Sequence, residues 1–246
     1  MQYQGGKYLL AAHITSAIVE EISPPEHTVI WDPFCGGLSM AAHLSEHFRV
    51  VCSDVHPALI SLYRAVKSGW DPPQCVTEED YQYAKTLPAT NPLHGFCAWG
   101  CSFGGKYYGG YARGRKGGFA PAARRSHLRD VPRVESFSQV SFFDVVPRSL
   151  KNLAIYCDPP YAQTTGYAGT PAFDSECFLS RCEAWERCGV PVFVSEYNIE
   201  RPGWVCLWER TYRSTPALQK KSGPNKTDRL YRFSAHAPEV RKAPPA

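Results

Sequence analysis

Asp158-Pro159-Pro160-Tyr161, directly after the apolar run Leu153-Ala154-Ile155-Tyr156-Cys157, has the residue types and order for chemistry on a flat amino group. The lone pair of an exocyclic amino group is spread into its ring, so the nitrogen attacks poorly. A carboxylate and a neighbouring backbone carbonyl that accept its two N–H bonds would draw it toward tetrahedral geometry and stabilise the positive charge that develops on methyl transfer. The prolines hold those acceptors rigidly, and the Tyr161 ring can stack on an extruded base. A second Asp-Pro-Pro, Asp71-Pro72-Pro73, follows a helical pattern, lacks the aromatic and reads as a helix stop.

Val29-Ile30-Trp31-Asp32-Pro33-Phe34-Cys35-Gly36-Gly37 is the other chemical segment, a strand running into a glycine turn that opens a helix. Such a turn, around Asp32 and Gly36, lets backbone N–H groups approach a bound ligand. Asp54 ends the next strand, 18 residues after Gly36, near the spacing at which a carboxylate reaches ribose hydroxyls. A helix-capping acid in a plain structural turn would give the same pattern.

Elements that could position these residues alternate along the chain. Apolar runs rich in Val, Ile and Phe predict strands over 28–32, 49–54, 153–158 and 191–197, with helices over 8–22, 38–48, 57–68 and 175–188 between them. The runs 205–212 and 229–233 predict short strands at an antiparallel edge. This is the pattern of a wound α/β sheet. Between about Gly69 and Arg133 the alternation breaks, with seven glycines within 104–118, and an insertion or mobile loop region is expected. Residues 1–68 and 134–234 are read as the catalytic and cofactor-binding domain, 69–133 as an inserted target-recognition region, and 235–246 as a disordered tail.

The chain has 246 residues, a hydrophobic fraction of 43% and an aromatic fraction of 13%, too apolar for a disordered chain. It has no apolar run of membrane-spanning length. The N-terminal sequence shows no secretory pattern, and the 10 cysteines include no Cys-x-x-Cys pair, so a cytoplasmic protein without a disulfide scaffold or zinc ribbon is expected. The net charge of +4 is unevenly placed. Residues 104–133 hold eight basic side chains against Asp130, and 210–232 hold seven against Asp228, while acids are in excess elsewhere. That asymmetry suggests a polyanionic partner, although solvated basic loops would look the same. Lys106, Tyr108, Arg113, Arg115, Lys116, Arg124, Arg125, Lys220 and Lys221 are the candidate nucleic-acid contacts.

Asp158-Pro159-Pro160-Tyr161, Asp32-Pro33-Phe34-Cys35-Gly36-Gly37, the N-terminal Tyr3-Gln4-Gly5-Gly6-Lys7 and the Asp54 strand end together resemble the Dam-type adenine-specific DNA methyltransferases of bacteria and phages. The resemblance runs from Tyr3 to about Phe233. It implies a Rossmann-like S-adenosylmethionine-dependent methyltransferase fold, mostly parallel with helices on both faces. It further implies that Tyr3 and Lys7 hold the methionine end of S-adenosylmethionine, that Phe34 lines its pocket, that Asp54 binds its ribose hydroxyls, and that Asp158 serves both cofactor and target amino group. The family's Asp-Phe pair before the tetrapeptide is here Asp144-Val145, without the usual aromatic. Likeness on the target side is looser, through Tyr212-Arg213-Ser214 and the segment from Lys220 to Arg229.

The expected activity is therefore metal-free transfer of a methyl group to the N6 amino group of a flipped adenine in double-stranded DNA, with no obligate protein partner and no membrane. Other readings remain: another planar amino acceptor (cytosine N4, RNA or a protein amide), an inactive nucleic-acid-binding module, or a zinc peptidase. The last rests on His43-Leu44-Ser45-Glu46-His47, whose spacing suits two imidazoles on one helix face but lacks a third ligand. No Pro-Cys dipeptide occurs, so ring-carbon methylation through a thiolate lacks its usual residue.

Overall fold

In the computed structural model, residues 3, 5–22, 27–113, 119–161, 173–213 and 225–234 are described. Helix α1 (Ala11–Glu21) leads into β1 (Val29–Asp32), α2 (Ser39–Leu44), β2 (Arg49–Ser53) and α3 (Pro57–Lys67). Helices α4 (Glu78–Thr86), α5 (Pro92–Gly95) and α6 (Ala120–Asp130) follow, then β3 (Ser136–Ser138), β4 (Leu153–Cys157), α7 (Ser175–Arg187), β5 (Val192–Glu196), β6 (Trp204–Arg213) and β7 (Asn225–Phe233).

The strands form one sheet in the order β3-β2-β1-β4-β5-β7-β6. The first five are parallel; β7 runs antiparallel to β5, and β6 closes the edge against β7. The alternation of side chains explains why the central strands read as unbroken apolar runs. Ile30, Ala154, Tyr156 and Phe193 join the core under α1, α2 and α3. Their neighbours Trp31, Ile155, Cys157, Val192 and Val194 pack on the opposite face against Phe178, Cys182 and Trp185 of α7. The doubly wound, mostly parallel sheet expected from the alternation is thus present, with helices on both faces.

Strand order reverses between β1 and β4, neighbours on which the connections diverge. Ligands of such sheets bind beyond the carboxyl ends of the strands at that point. Trp31 is in register with Val51 of β2 and Ile155 of β4, so Asp32, Asp54 and Asp158 all emerge at this one end.

Two stretches differ from the sequence expectation. The segment over 69–133 is substantially helical among its described residues. Its first long helix starts at a capping box, in which Thr77 Oγ1 accepts the Asp80 N–H at 3.1 Å and Asp80 Oδ2 accepts the Thr77 N–H at 2.9 Å. Tyr81, Phe96, Trp99 and Ala123 from this segment belong to the same core as β1 and α3, because aromatic side chains interleaved with the glycines supply apolar area that a glycine count overlooks. The predicted helix over 38–48 stops after Leu44; Glu46 and His47 lie in the following turn, and Glu46 pairs with Arg133 at 3.3 Å. The two imidazoles of the peptidase-like spacing therefore do not share a helix. The proposed tail over 235–246 lies outside the described residues.

Candidate active site

At the end of β1 the chain turns through Gly36, with φ at +40°, a left-handed conformation that a glycine adopts without the strain of a Cβ. The side chain of Tyr3 lies against this turn so closely that a Cβ on Gly36 would come within 2.8 Å of its ring, and one on Gly37 within 2.5 Å of its Cβ. Asp54 ties the turn to β2: Oδ2 accepts the Gly36 N–H at 3.2 Å and Oδ1 the His56 N–H at 2.9 Å. Burial pushes the Asp54 carboxyl up to about 6, against the pull of those backbone donors. Asp32 is buried and accepts the Phe34 N–H at 3.2 Å. Burial drives its carboxyl well above the ordinary range, and the charges of Asp158 and Asp54 add to the rise. Phe34 is half-buried in an aromatic group, with ring centroids 5.8 Å from Phe142, 5.9 Å from Phe173 and 5.7 Å from Phe178. Asp144 is exposed, and the aromatics Phe142 and Phe143 stand before it rather than after it.

Sequence reasoning missed the wall beside Tyr3. Trp99 sits in a π-helical turn, Phe96–Gly100, with its ring 6.1 Å from Tyr3 and 4.8 Å from His56. His56 caps α3, its Nδ1 accepting the Ala58 N–H at 3.3 Å. Burial, with His94 nearby, brings it down to about 4, so it is a neutral wall residue at neutral pH.

Beyond β4, Asp158 meets a cation. Lys7 Nζ lies 3.3 Å from Asp158 Oδ1 and 3.3 Å from Asp228 Oδ1, and 4.3 Å above the Tyr161 ring. The Lys7 backbone N–H donates to Ser39 Oγ at 3.2 Å, anchoring the N-terminal segment to the start of α2. Asp228 also accepts the Tyr161 hydroxyl at 2.9 Å and the Tyr212 hydroxyl at 2.5 Å. Burial lowers the Lys7 ammonium, but Asp158 and then Asp228 more than offset it, and its pKa stands above the usual value. The Asp158 carboxyl is raised, foremost by burial; Lys7 pulls it back and Asp228 adds to the rise. Its side chain keeps 19% exposure, against 3% for Asp228, so Asp158 is the carboxylate a substrate can reach. Pro159 is buried behind it, and Pro160 is half-buried. The structure thus brings together Tyr3, Lys7, Asp32, Gly36, Asp54, Asp158 and Tyr161. It also directs Lys7 at two protein carboxylates, where a counter-ion for a ligand carboxylate was expected. Asp228 was visible in the sequence only as the one acid in a basic run; its place on the same strand face as Leu230 was the signal that it points inward.

The basic candidates divide. Lys106 and Arg125 are exposed, and neither makes an ion pair among the described residues. Arg113 forms a two-pronged pair with Glu78, and Arg124 binds Asp71 and the Pro72 carbonyl. Tyr108 is half-buried, donates its hydroxyl to the His94 carbonyl at 3.1 Å and packs on Tyr81; its polar atom is used inside the fold. Arg115, Lys116, Lys220 and Lys221 lie outside the described residues. No described helix is long and apolar enough to cross a membrane.

Residues 3–91 match the family model described as D12 class N6 adenine-specific DNA methyltransferase. The DNA adenine methylase of Escherichia coli strain K12 is 24% identical over 210 residues, spanning 75% of this chain and 72% of its own. That of Salmonella typhi is 24% identical over 204 residues, spanning 72% and 70%. Among solved structures, the magnesium protoporphyrin IX methyltransferase of Synechocystis, with bound SAM, aligns over 93% of this chain and 80% of its own, at 10% identity and a TM-score of 0.39.

Proposed function

We propose that this chain, a member of the D12-class N6 adenine-specific DNA methyltransferases by the match over residues 3–91 and by its kinship with the DNA adenine methylases, methylates adenine in DNA from S-adenosylmethionine. The observation that carries the reading is Asp158: a partly exposed carboxylate at the carboxyl end of β4, beside the glycine turn of β1, with a buried lysine holding it. The donor set suits the cofactor. Asp54 accepts the Gly36 and His56 N–H groups, one on each oxygen, and still has lone pairs for ribose hydroxyls. Phe34 offers an aromatic face, and Tyr3, Gly36 and Asp32 border the space where a methionine moiety would lie. S-adenosylmethionine supplies a methyl group on a sulfonium, whose departure as a neutral thioether asks for no Lewis acid.

Asp158 and the carbonyl of Pro159 then accept the amino N–H bonds of adenine, and Asp158 takes the proton that the nitrogen sheds. Tyr161 bounds the slot on one side, with Tyr197 against it at 4.4 Å between ring centroids. Asp158 is too deeply set for a base stacked in a duplex, which supports extrusion of the adenine from double-stranded DNA. Lys7 fixes Asp158 rather than binding the donor's carboxylate. Lys106 and Arg125, with Arg115, Lys116, Lys220 and Lys221, supply phosphate contacts, and residues 69–133 read the target sequence. The chain works without an obligate protein partner.

The test is Asp158→Ala, assayed for N6-methyladenine in duplex DNA by mass spectrometry. The rate should fall by at least about a hundredfold, with circular dichroism and thermal unfolding showing a folded chain. Turnover near that of the native protein would overturn the mechanism.

A further inference from the structure

Asp228 belongs to β7, two strands along the sheet from β4, at whose end the motif residues stand, yet its carboxylate gathers three side chains of the site. It accepts from Lys7, Tyr161 and Tyr212, and it is nearly sealed from solvent. A surface aspartate in a basic strand would have turned outward. We infer that Asp228 is a positioning residue of the methyl transfer: by sharing Lys7 at the same distance as Asp158 does, it leaves Asp158 basic enough to take the amino proton, and it clamps Tyr161 beside it.

This rests on the proposed adenine methylation. In that step the amino lone pair forms the N–CH3 bond while the S–CH3 pair leaves on sulfur. The nitrogen then releases one proton to the Asp158 carboxylate and keeps the N–H electron pair. A carboxylate locked to a lysine of its own is a poor proton acceptor, because the cation stabilises its charged form. With two carboxylates on one ammonium, the trio carries a net negative charge, and uptake of a proton by Asp158 removes a repulsion instead of breaking a neutral pair. The arrangement also keeps the trio intact after the proton arrives, since Lys7 still has Asp228 as counter-ion. The other ionisable groups facing the pair are Asp32 from the end of β1, Tyr156 on β4, Tyr161 after it, Tyr197 after β5, and Tyr212 on β6, with Arg210 opposite Asp228 in the β6–β7 register. None is a second cation between the carboxylates.

Asp228→Asn retains an oxygen for one tyrosine hydroxyl while removing the charge. Single-turnover methylation of duplex DNA should slow by about tenfold or more. The acid limb of its pH profile should move to lower pH, because a contribution that raises Asp158 is gone, and the affinity for S-adenosylmethionine should stay near native. Asp228→Glu should recover part of the rate. A slower enzyme with an unmoved acid limb would make Asp228 merely structural, and an unchanged rate would overturn the inference as well. If the asparagine variant does not fold, Tyr212→Phe serves: it strips a hydrogen bond from the Asp228 carboxylate and leaves its charge less shielded toward Asp158, so the acid limb should move to higher pH, and an unmoved limb overturns the proposal. If the native chain methylates no DNA, it is the proposed function that fails. The inference is then read by carbon-13 NMR titration of the Asp158 carboxyl, whose midpoint must fall in Asp228→Asn for it to survive.

Discussion

The charged hub of Lys7, Asp158 and Asp228 and the basic segment over 104–133 contain the same kinds of side chain and use them in opposite ways. In the hub one cation is shared by two carboxylates, all three largely removed from water, and the three residues come from the N-terminal segment, the end of β4 and the middle of β7. In the basic segment the pairs lie at the surface: Arg113 with Glu78 at 75% and 43% side-chain exposure, Arg133 with Glu46 at 43% and 53%. Exposed pairs of that kind contribute little, about 0–1 kcal/mol, whereas removing one member of a buried set leaves an uncompensated charge. A charge count treats both regions alike; burial decides which charges do chemistry and which remain available to a partner.

The hub should therefore be the more fragile of the two. Lys7→Met leaves the Asp158 and Asp228 carboxylates facing each other, largely out of water, without their cation, and about 3–5 kcal/mol of stability should be lost, together with methylation. The deficit should shrink as the pH falls, since Asp158, already raised by burial and in the variant without Lys7 to pull it back, then takes up a proton that relieves the repulsion. Urea unfolding at two pH values reads both effects; equal losses at both would mean that the carboxylates do not confront each other. A smaller effect is expected at the turn. Gly37→Ala would set a Cβ 2.5 Å from the Tyr3 Cβ, displacing the Tyr3 segment and weakening S-adenosylmethionine binding by about tenfold, 1.4 kcal/mol, while Asp158 and Asp228 stay in place. Unaltered affinity by calorimetry would remove Tyr3 from the cofactor site.

Much of this was legible because local rules and global fold agree. The runs over 28–32, 49–54 and 153–158 had to be strands buried on both faces, and the acids at their ends had to emerge together once the strands ran parallel. Asp228 was legible only as an inward-facing acid in a basic strand: nothing short of the β5–β7–β6 pairing says that a strand nearly 70 residues after Asp158 returns its acid to the same lysine. The wall of Trp99 and His56 was hidden for a related reason. Trp99 lies in a π-helical turn within a stretch whose glycines predict loop, and the aromatic packing that makes it helical involves partners as distant as Tyr3 and His56. Charge patterning was blind in a third way, since it gave Arg113 and Arg124 the same standing as Lys106 and Arg125 without showing which had acids folded against them.

That last distinction can be measured, and it bears on where DNA would lie. A side chain that contacts phosphate displaces a condensed counter-ion, so removing it weakens binding and reduces the slope of log affinity against log salt by about 1 per contact. Lys106→Ala and Arg125→Ala together should lower the slope by up to about 2. Arg113→Ala and Arg124→Ala should change it less, because a guanidinium already forked onto Glu78, or onto Asp71 and the Pro72 carbonyl, must give up those bonds before it can serve a phosphate. Fluorescence anisotropy with duplex DNA across a salt series compares the two double variants directly. If the paired arginines prove the costlier loss, they exchange their acids for phosphate on binding, and the surface pairs are latches that DNA opens.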